Sequence, residues 1–376
     1  MSSVSVEPNK LFLNLAFTAY LGVLMIGPSI DQRLLTRLEC VLGDLERTIG
    51  RWRVVWGPGI YRVFRNGIPD NTMYIAENSD RAELTISIAG TNPLSLYSWL
   101  AQDFSVQRLY RWPHGQPPPG AQITEGTLRG MRALQQMVPR QERRDGSPFP
   151  GGNQTMHEFL RGWVIAQRAT SQGPLRITVT GHSLGGALSP VIALWLEDTR
   201  AVWDPGHAAE VQCRAFAGPT PGNREFARVI TERMGTNLFR IANDKDVVPR
   251  AWNIDALAEI KALYAPSLPR STTWDRIVGL TIYNAVGTDF QQIALPAQTT
   301  ILPGVIDPGI KHLFPLNFAR YVAQATYQHT AAYFDLLECA MHDDIEAAIG
   351  WVNRVAQQMI MMGQMPGMGW MLQKDP

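Results

Sequence analysis

The sequence predicts an α/β fold in which a mostly parallel central sheet is flanked by helices, and two observations carry this prediction. Between residues 176 and 196, a short strand-like run breaks at a Gly-x-Ser-x-Gly turn and continues with apolar residues at helical spacing. Further strand-like runs lie before it (RVVW, MYIAE, ELTISIA) and after it (VQCRAFA, LFRIA). Strands that alternate with helices favour a parallel sheet covered on its faces.

The composition is that of a large globular chain and excludes several functional classes. The chain has 376 residues, of which 45% are hydrophobic, and we expect one domain over 1–376 with insertions. A formal net charge of +1 gives no electrostatic reason to expect a nucleic-acid partner. Cys40, Cys213 and Cys339 are far apart and the seven His form no H-x-x-x-H pattern, so we expect no metal and no cofactor.

Residues 11–27 are apolar enough to raise the question of a membrane or of export. Asn14 and Thr18 interrupt this stretch, only Lys10 stands before it, and no small-x-small cleavage site follows it. A buried N-terminal helix is therefore the preferred interpretation, with a signal peptide or membrane anchor as the alternative. On this interpretation we expect no integral membrane span, and a cytoplasmic location is favoured over a secreted one.

The next elements lead towards the Gly-x-Ser-x-Gly turn. Residues 30–49 place leucines on one face and charges on the other, which predicts an amphipathic helix that ends at Gly50. The three strand-like runs follow, and the last of them ends at Gly90 and Thr91. Helices are predicted over 123–138 and 154–170, with a solvated loop between them.

The segment from residue 92 to about residue 122 mixes large apolar and aromatic side chains with charges. So much apolar area in a surface insertion needs a cover or a partner. A lid and a helix packed permanently against the domain are the two interpretations that the residues allow.

Ser183 is the candidate nucleophile of the predicted strand-turn-helix. A serine between strand and helix is forced onto a strained turn, while Gly181 and Gly185 remove side chains that would clash there. The helix that begins at Leu184 directs unpaired backbone N–H groups and a partial positive charge at the same point. Such a site suits acyl transfer, in which the Leu184 N–H would help to bind an oxyanion.

A nucleophilic serine needs a base and an acid, and the sequence offers several candidates for each. The strand LFRIA is followed by Asp244 and Asp246, at the sheet edge where a carboxylate could orient a histidine. Downstream histidines, one of which would complete the order Ser, Asp, His, are His312, His329 and His342.

Asp246 and His329 are separated by 83 positions, which is more than a compact strand-to-helix connection needs. We expect an insertion over about 252–328, with one helix around residues 256–263 and strands or loops at TIYNAVG and TTILPGVIDPG. The Met- and Gly-rich tail, about 359–376, is expected either to pack against the protein or to remain unstructured.

Four motifs resemble those of the class 3 (fungal-type) lipase family. They are SIAGTNPLSLYSWLAQDF, TVTGHSLGGA, FAGPTPGN and the pair NDKDVVP and QHTAAY, and they span roughly residues 73–334. The resemblance implies an α/β-hydrolase fold with lid and cap insertions, the lid lying within about 92–122. It selects Asp246 and His329 for the triad and implies that Thr91 supplies the second oxyanion donor, where an ordinary β-turn is the alternative.

The function implied is that of a serine lipase or esterase that hydrolyses acylglycerol esters through an acyl-enzyme formed on Ser183. The expected partner is a lipid or other ester substrate, met at an interface. A carboxylesterase, a feruloyl esterase or a phospholipase with the same triad is the first alternative. A catalytically inactive lipid-binding protein of the same fold is the second.

Overall fold

The computed structural model describes residues 6–23, 25–62, 69–89, 104–170, 173–313 and 316–350. In this part of the chain, the predicted central sheet is built from seven strands, and two further short strands form a separate hairpin. The strands are β1 (Arg53–Tyr61), β2 (Asn71–Asn78), β3 (Glu83–Ile88), β4 (Leu109–Arg111), β5 (Gln122–Thr124), β6 (Leu175–His182), β7 (Ala209–Phe216), β8 (Leu238–Asn243) and β9 (Thr299–Leu302).

The central sheet has the order β1-β2-β3-β6-β7-β8-β9. The first two pairings are antiparallel, and every pairing from β3 to β9 is parallel. Because parallel strands end at the same edge of a sheet, the loops that follow β3, β6 and β8 meet there. The predicted mostly parallel sheet of an α/β fold is thereby confirmed.

Helices cover both faces of this sheet. They are α1 (Pro8–Thr18), α2 (Ile30–Asp44), α3 (Glu46–Ile49), α4 (Glu125–Gln135), α5 (Met156–Thr170), α6 (Leu184–Asp198), α7 (Arg200–Trp203), α8 (Arg224–Met234), α9 (Ile254–Glu259), α10 (Thr272–Ala285), α11 (Ile310–Leu313), α12 (Asn317–His329) and α13 (Ala331–Leu336). Residues 343–350 are also helical.

Strand alternation divides the hydrophobic residues between two cores. In β2, Met73 and Ile75 belong to the core that α4, α5, α6 and α8 cover, whereas Tyr74 and Ala76 belong to the core that α1 and α2 cover. All four side chains are fully buried, so β2 is hydrophobic on both faces, as a strand between two helix layers must be.

The N-terminal apolar stretch forms the buried helix that the sequence predicts. Helix α1 is followed by a short helical turn, Ala19–Gly22, and residues 11–23 are all buried in the second core. Among the described residues, no helix is both long enough and apolar enough to cross a membrane.

The insertion over 252–328 has a hydrophobic core of its own, built mainly by α9, α10 and α12. The predicted helix near residue 256 and the strand at TTIL are present as α9 and β9. The expectation of a strand or loop at TIYNAVG is wrong, because residues 281–285 form the last turns of α10. There, Ile277, Thr281 and Ala285 are buried at helical spacing, and this packing overrides the strand propensity of the local residues.

The segment proposed as a lid is described only from residue 104. Residues 92–103 lie outside the described residues, as does the tail over 359–376. Beyond them, Val106 is buried in the core of the insertion and Trp112 in the first core of the sheet. The last part of this segment is therefore a fixed element, formed by the hairpin of β4 and β5.

Candidate active site

Ser183 lies on a strained turn between β6 and α6. Its backbone φ of 61° and ψ of −124° fall outside the regions that residues other than glycine normally adopt. A Cβ atom added at Gly181 would lie 2.4 Å from the carbonyl oxygen of Gly185, and one at Gly186 would lie 2.2 Å from that of Phe216. Glycine at these positions allows strand and helix to approach closely enough to form the turn.

Ser183, His329 and Asp246 form one hydrogen-bonded chain. The Ser183 hydroxyl donates to His329 Nε2 over 2.8 Å, and His329 Nδ1–H donates to Asp246 Oδ2 over 2.8 Å. This tautomer follows from the carboxylate, which can only accept. His329 is 2% exposed and Asp246 is fully buried, so little water competes for these bonds.

The three residues come from distant parts of the fold. Ser183 follows β6, and Asp246 stands in a turn after β8 that its own N–H closes onto the carbonyl of Asn243. His329 is the last residue of α12, which the insertion delivers to the sheet edge. The structure thus brings together the residues that the motifs single out.

The competing candidates lie elsewhere. Asp244 Oδ1 accepts the backbone N–H of Gly304 over 2.7 Å, and its Oδ2 lies 3.6 Å from Lys245 Nζ. His342 lies 3.3 Å from Asp44 of α2, and the side chain of His312 is exposed to solvent. The contacts of Asp244 and His342 are therefore with residues outside the candidate triad.

Tyr333 contacts the candidate triad, and sequence reasoning assigned it no part in the site. Its hydroxyl donates to Asp246 Oδ2 over 3.0 Å and accepts the backbone N–H of Asn243 over 3.0 Å. Asp246 Oδ1 accepts the N–H of Val248 over 3.0 Å, so both carboxylate oxygens are bound. Burial raises the pKa of Tyr333 well above its usual value, and Asp246 raises it further, which keeps the phenol protonated as a donor. The motif QHTAAY contains this tyrosine but does not reveal its partner.

His182 connects the nucleophile turn to the N-terminal segment. Its Nε2–H donates to the backbone carbonyl of His329 over 2.6 Å. The Tyr20 hydroxyl lies 3.1 Å from His182 Nδ1 and donates to the His182 carbonyl over 2.9 Å. Burial lowers the pKa of His182 well below its usual value and the neighbouring His329 lowers it further, so the ring is neutral. No sequence signal marks Tyr20 for this contact.

The structure describes one of the two predicted oxyanion donors, Leu184. Leu184 is the first residue of α6, where backbone N–H groups have no partner within the helix. Thr91 lies outside the described residues. Ile88, at the end of β3, pairs with Gly181 of β6, so the chain leaves β3 next to the nucleophile turn.

The described residues hold no group of three or more His, Cys, Asp or Glu side chains that could bind a metal ion. The site itself offers a hydroxyl, an imidazole and a carboxylate in series, beside a helix N-terminus.

Comparisons of this chain with known proteins find lipases. Residues 85–256 match the family described as Lipase (class 3). The crystal structure of M37 lipase superposes with a TM-score of 0.77 at 31% sequence identity, covering 93% of this chain and 100% of that one.

Two curated relatives are similar over shorter stretches. Phospholipase A(1) DAD1, chloroplastic, of Arabidopsis thaliana is 34% identical over 106 residues, which are 28% of this chain and 22% of the relative. Secreted mono- and diacylglycerol lipase 1 of Fusarium solani is 29% identical over 101 residues, which are 24% of this chain and 28% of the relative. This chain therefore matches less than a third of the length of either relative.

Proposed function

The chain belongs to the class 3 lipase family, and we propose that it hydrolyses carboxylic esters of acylglycerols with Ser183 as nucleophile, His329 as general base and Asp246 as the acid of the triad. The observation that carries this proposal is the hydrogen-bonded chain from Ser183 Oγ through His329 to Asp246. The family and the strained turn at Ser183 support it.

In the first half of the reaction, Ser183 Oγ attacks the ester carbonyl while its proton passes to His329 Nε2. The resulting imidazolium lies against Asp246, whose carboxylate stabilises the positive charge. His329 then donates that proton to the leaving alcohol, and the acyl group remains on Ser183. In the second half, water attacks the acyl-enzyme with His329 again as base, and the free acid is released.

The negative charge that develops on the carbonyl oxygen needs donors that are already in place. We assign the Leu184 N–H to this role because it follows the nucleophile at the N-terminus of α6. Thr91 is assigned as the second donor from its sequence motif. Loss of one such donor costs about 10²- to 10³-fold in kcat in serine hydrolases.

The substrate that we propose is an acylglycerol presented at a lipid interface. A mono- and diacylglycerol lipase and a phospholipase A(1) among the relatives support a lipid ester, and the second name makes a phospholipase the rival function. The apolar residues Leu96, Trp99 and Leu100 support the interface, since each large apolar side chain moved into lipid contributes about 1.5–3 kcal/mol.

Substrate comparison tests this proposal. Purified protein would be assayed with p-nitrophenyl esters of increasing chain length, emulsified triacylglycerol and phosphatidylcholine vesicles, with Ser183→Ala as the control for background hydrolysis. We expect the highest rates on the acylglycerol emulsion, with a rise in activity as a short-chain ester passes its solubility limit. Preference for phosphatidylcholine would favour the phospholipase, and smooth saturation through the solubility limit would favour a carboxylesterase.

A reducing compartment such as the cytoplasm is the location that we propose. Cys40, Cys213 and Cys339 are all free thiols, and Cys40 is exposed to solvent. Exposed free thiols are more typical of reducing compartments than of secreted proteins. Fractionation of cells that express the untagged chain would test this, and recovery from the medium would contradict it.

A further inference from the structure

A pocket lies beside Asp246 of the candidate triad, at the last two strands of the sheet. It has a volume of about 400 Å³ and opens to solvent. Arg240 and Ala242 of β8 and Ile301 of β9 line it, together with Pro249 and Asn253 from the loop that follows β8. Asp246 forms part of its wall, but Ser183 and His329 do not, so the pocket is separate from the reacting atoms.

Arg240 is the unusual residue of this pocket. Its Nε atom is buried and has no hydrogen-bond partner, and the side chain forms no ion pair with any residue that the structure describes. Burial lowers the pKa of Arg240, and the nearby Tyr333 and Asp246 oppose this effect. Because a guanidinium stays protonated in proteins, a half-buried positive charge whose Nε lacks a hydrogen-bond partner remains at this wall.

The acidic groups around Arg240 are bound to other partners. Asp246 accepts from His329, Tyr333 and Val248, as described above, and Asp244 Oδ1 accepts from the N–H of Gly304. Arg250, a second cation of the pocket, already pairs with Glu259. An anion that enters the pocket could therefore bind Arg240 without breaking an existing ion pair.

Four apolar residues of the wall suit a short hydrocarbon chain, and they lie beside polar residues that include Asn253, Gln291 and Gln292. Ala242 and Ile301 are directly paired neighbours on β8 and β9, and Pro249 and Ala256 face the same space. Ile301 is 53% exposed although it is a large aliphatic residue. An apolar patch beside the Arg240 guanidinium matches an anion that carries an alkyl chain better than it matches a fully hydrated inorganic anion.

We propose that this pocket binds a carboxylate with a short alkyl chain, with the carboxylate on Arg240 and the chain against Ala242 and Ile301. Such an acid is the chemical class of product that ester hydrolysis releases; that link rests on the proposed function, whereas binding itself does not. The pocket would then bind accumulated acid next to the triad carboxylate but outside the reacting centre.

Binding is tested on full-length Ser183→Ala protein, which keeps the result independent of turnover. Ligand-observed NMR titrations would use acetate, hexanoate and inorganic phosphate at constant ionic strength. We expect hexanoate to bind at least tenfold more tightly than acetate or phosphate. Adding Arg240→Gln should weaken hexanoate binding at least tenfold, and Ile301→Asp should do the same by placing a negative charge beside the chain.

Arg228→Gln is the matched control, because it removes the same charge from an exposed arginine of α8 that pairs with Glu225 and Glu232. It should leave hexanoate affinity unchanged. Arg240→Gln removes a side chain whose Nε has no hydrogen-bond partner among the residues that the structure describes, and the variant should fold, which its circular dichroism melt would verify. Ile301→Asp alters an exposed position and provides an independent second test. Equal binding of phosphate and hexanoate, or hexanoate affinity that neither substitution changes, would overturn the proposal. A Ser183→Ala protein that still hydrolyses esters would instead count against the proposed function.

Discussion

The side chain of His182 holds the backbone of His329, because its Nε2–H donates to the His329 carbonyl oxygen over 2.6 Å. The residue before the candidate nucleophile thus fixes the chain that carries the candidate base. Tyr20 in turn contacts His182, so the N-terminal segment belongs to the support of the site.

Replacing His182 with Ala should lower kcat about tenfold with little change in KM, since one buried hydrogen bond contributes about 0.5–1.5 kcal/mol. Tyr20→Phe should act in the same direction by a smaller factor. Steady-state kinetics on a soluble ester measure both effects. Wild-type kcat in His182→Ala would show that the His329 backbone needs no such support.

Ser183→Ala should abolish ester hydrolysis and leave the fold intact, because the hydroxyl contributes chemistry and little packing. The expected result is an unaltered circular dichroism spectrum with activity at background. A serine-directed organophosphonate should label the wild type at Ser183 alone, as mass spectrometry of the digest would detect. Substantial ester turnover by Ser183→Ala would contradict the assignment of Ser183 as the nucleophile.

His329→Ala should lower kcat by about 10³- to 10⁶-fold, because the general base is lost. His312→Ala and His342→Ala are the matched controls, since neither side chain contacts Ser183, and both should keep near-wild-type kcat. Asp246→Asn should cost about 10³- to 10⁴-fold by disturbing the tautomer of His329, whereas Asp244→Asn should cost little. A dead His342→Ala enzyme with a normal fold would refute this choice of base.

Gly186→Ala should destabilise the fold by about 1–3 kcal/mol or more and reduce activity, because overpacking against a fixed backbone cannot relax. The added Cβ would lie 2.2 Å from the Phe216 carbonyl oxygen. Gly162→Ala in α5 is the control: no atom lies within 4 Å of the new Cβ, and a gain of about 0.5–1 kcal/mol is expected for a helix interior. Urea unfolding of both variants measures the difference, and equal stabilities would contradict it.

Acidification should destabilise this protein. Burial lowers the pKa of His157 to about 4, with repulsion from His114 as a second cause, and burial also lowers the pKa of His114 and of His182. The unfolded chain protonates these rings near pH 6.5, so between about pH 4 and 6.5 it binds more protons than the folded chain, and stability rises with pH across that window. The Tm should therefore fall by roughly a few degrees between pH 7.5 and pH 5.

The variant His157→Gln should reduce that fall, because Gln can still donate to Thr199 Oγ1, which His157 Nε2 contacts at 3.0 Å, but cannot take up a proton. His312→Gln alters an exposed histidine and should keep the wild-type pH response. A Tm that stays constant from pH 7.5 to pH 5 would contradict this prediction and would show that solvent reaches these histidine rings in the folded protein.

The sequence by itself determined the α/β class, the family and most of the strands and helices. Local patterns sufficed for these, because strand periodicity, helical spacing and the glycines of the nucleophile turn are properties of neighbouring residues. The same patterns led to the wrong expectation at TIYNAVG, where packing of α10 in the insertion overrides local propensity. The roles of Ser183, Asp246, His329, Thr91 and Leu184 stay predictions until variants are assayed.

Only the tertiary structure decided which side chains meet. Asp246 and His329 are 83 residues apart. The residues alone leave Asp244 as an alternative to Asp246, and His312 and His342 as alternatives to His329; the motifs choose between them by resemblance. The contact between Asp246 and His329 depends on where β8 ends in the sheet and on how the insertion returns α12 to that edge. A local sequence pattern specifies neither. For the same reason, the partners of Tyr333, Tyr20 and Arg240 emerge only from the fold, which joins elements distant in the chain into one buried site.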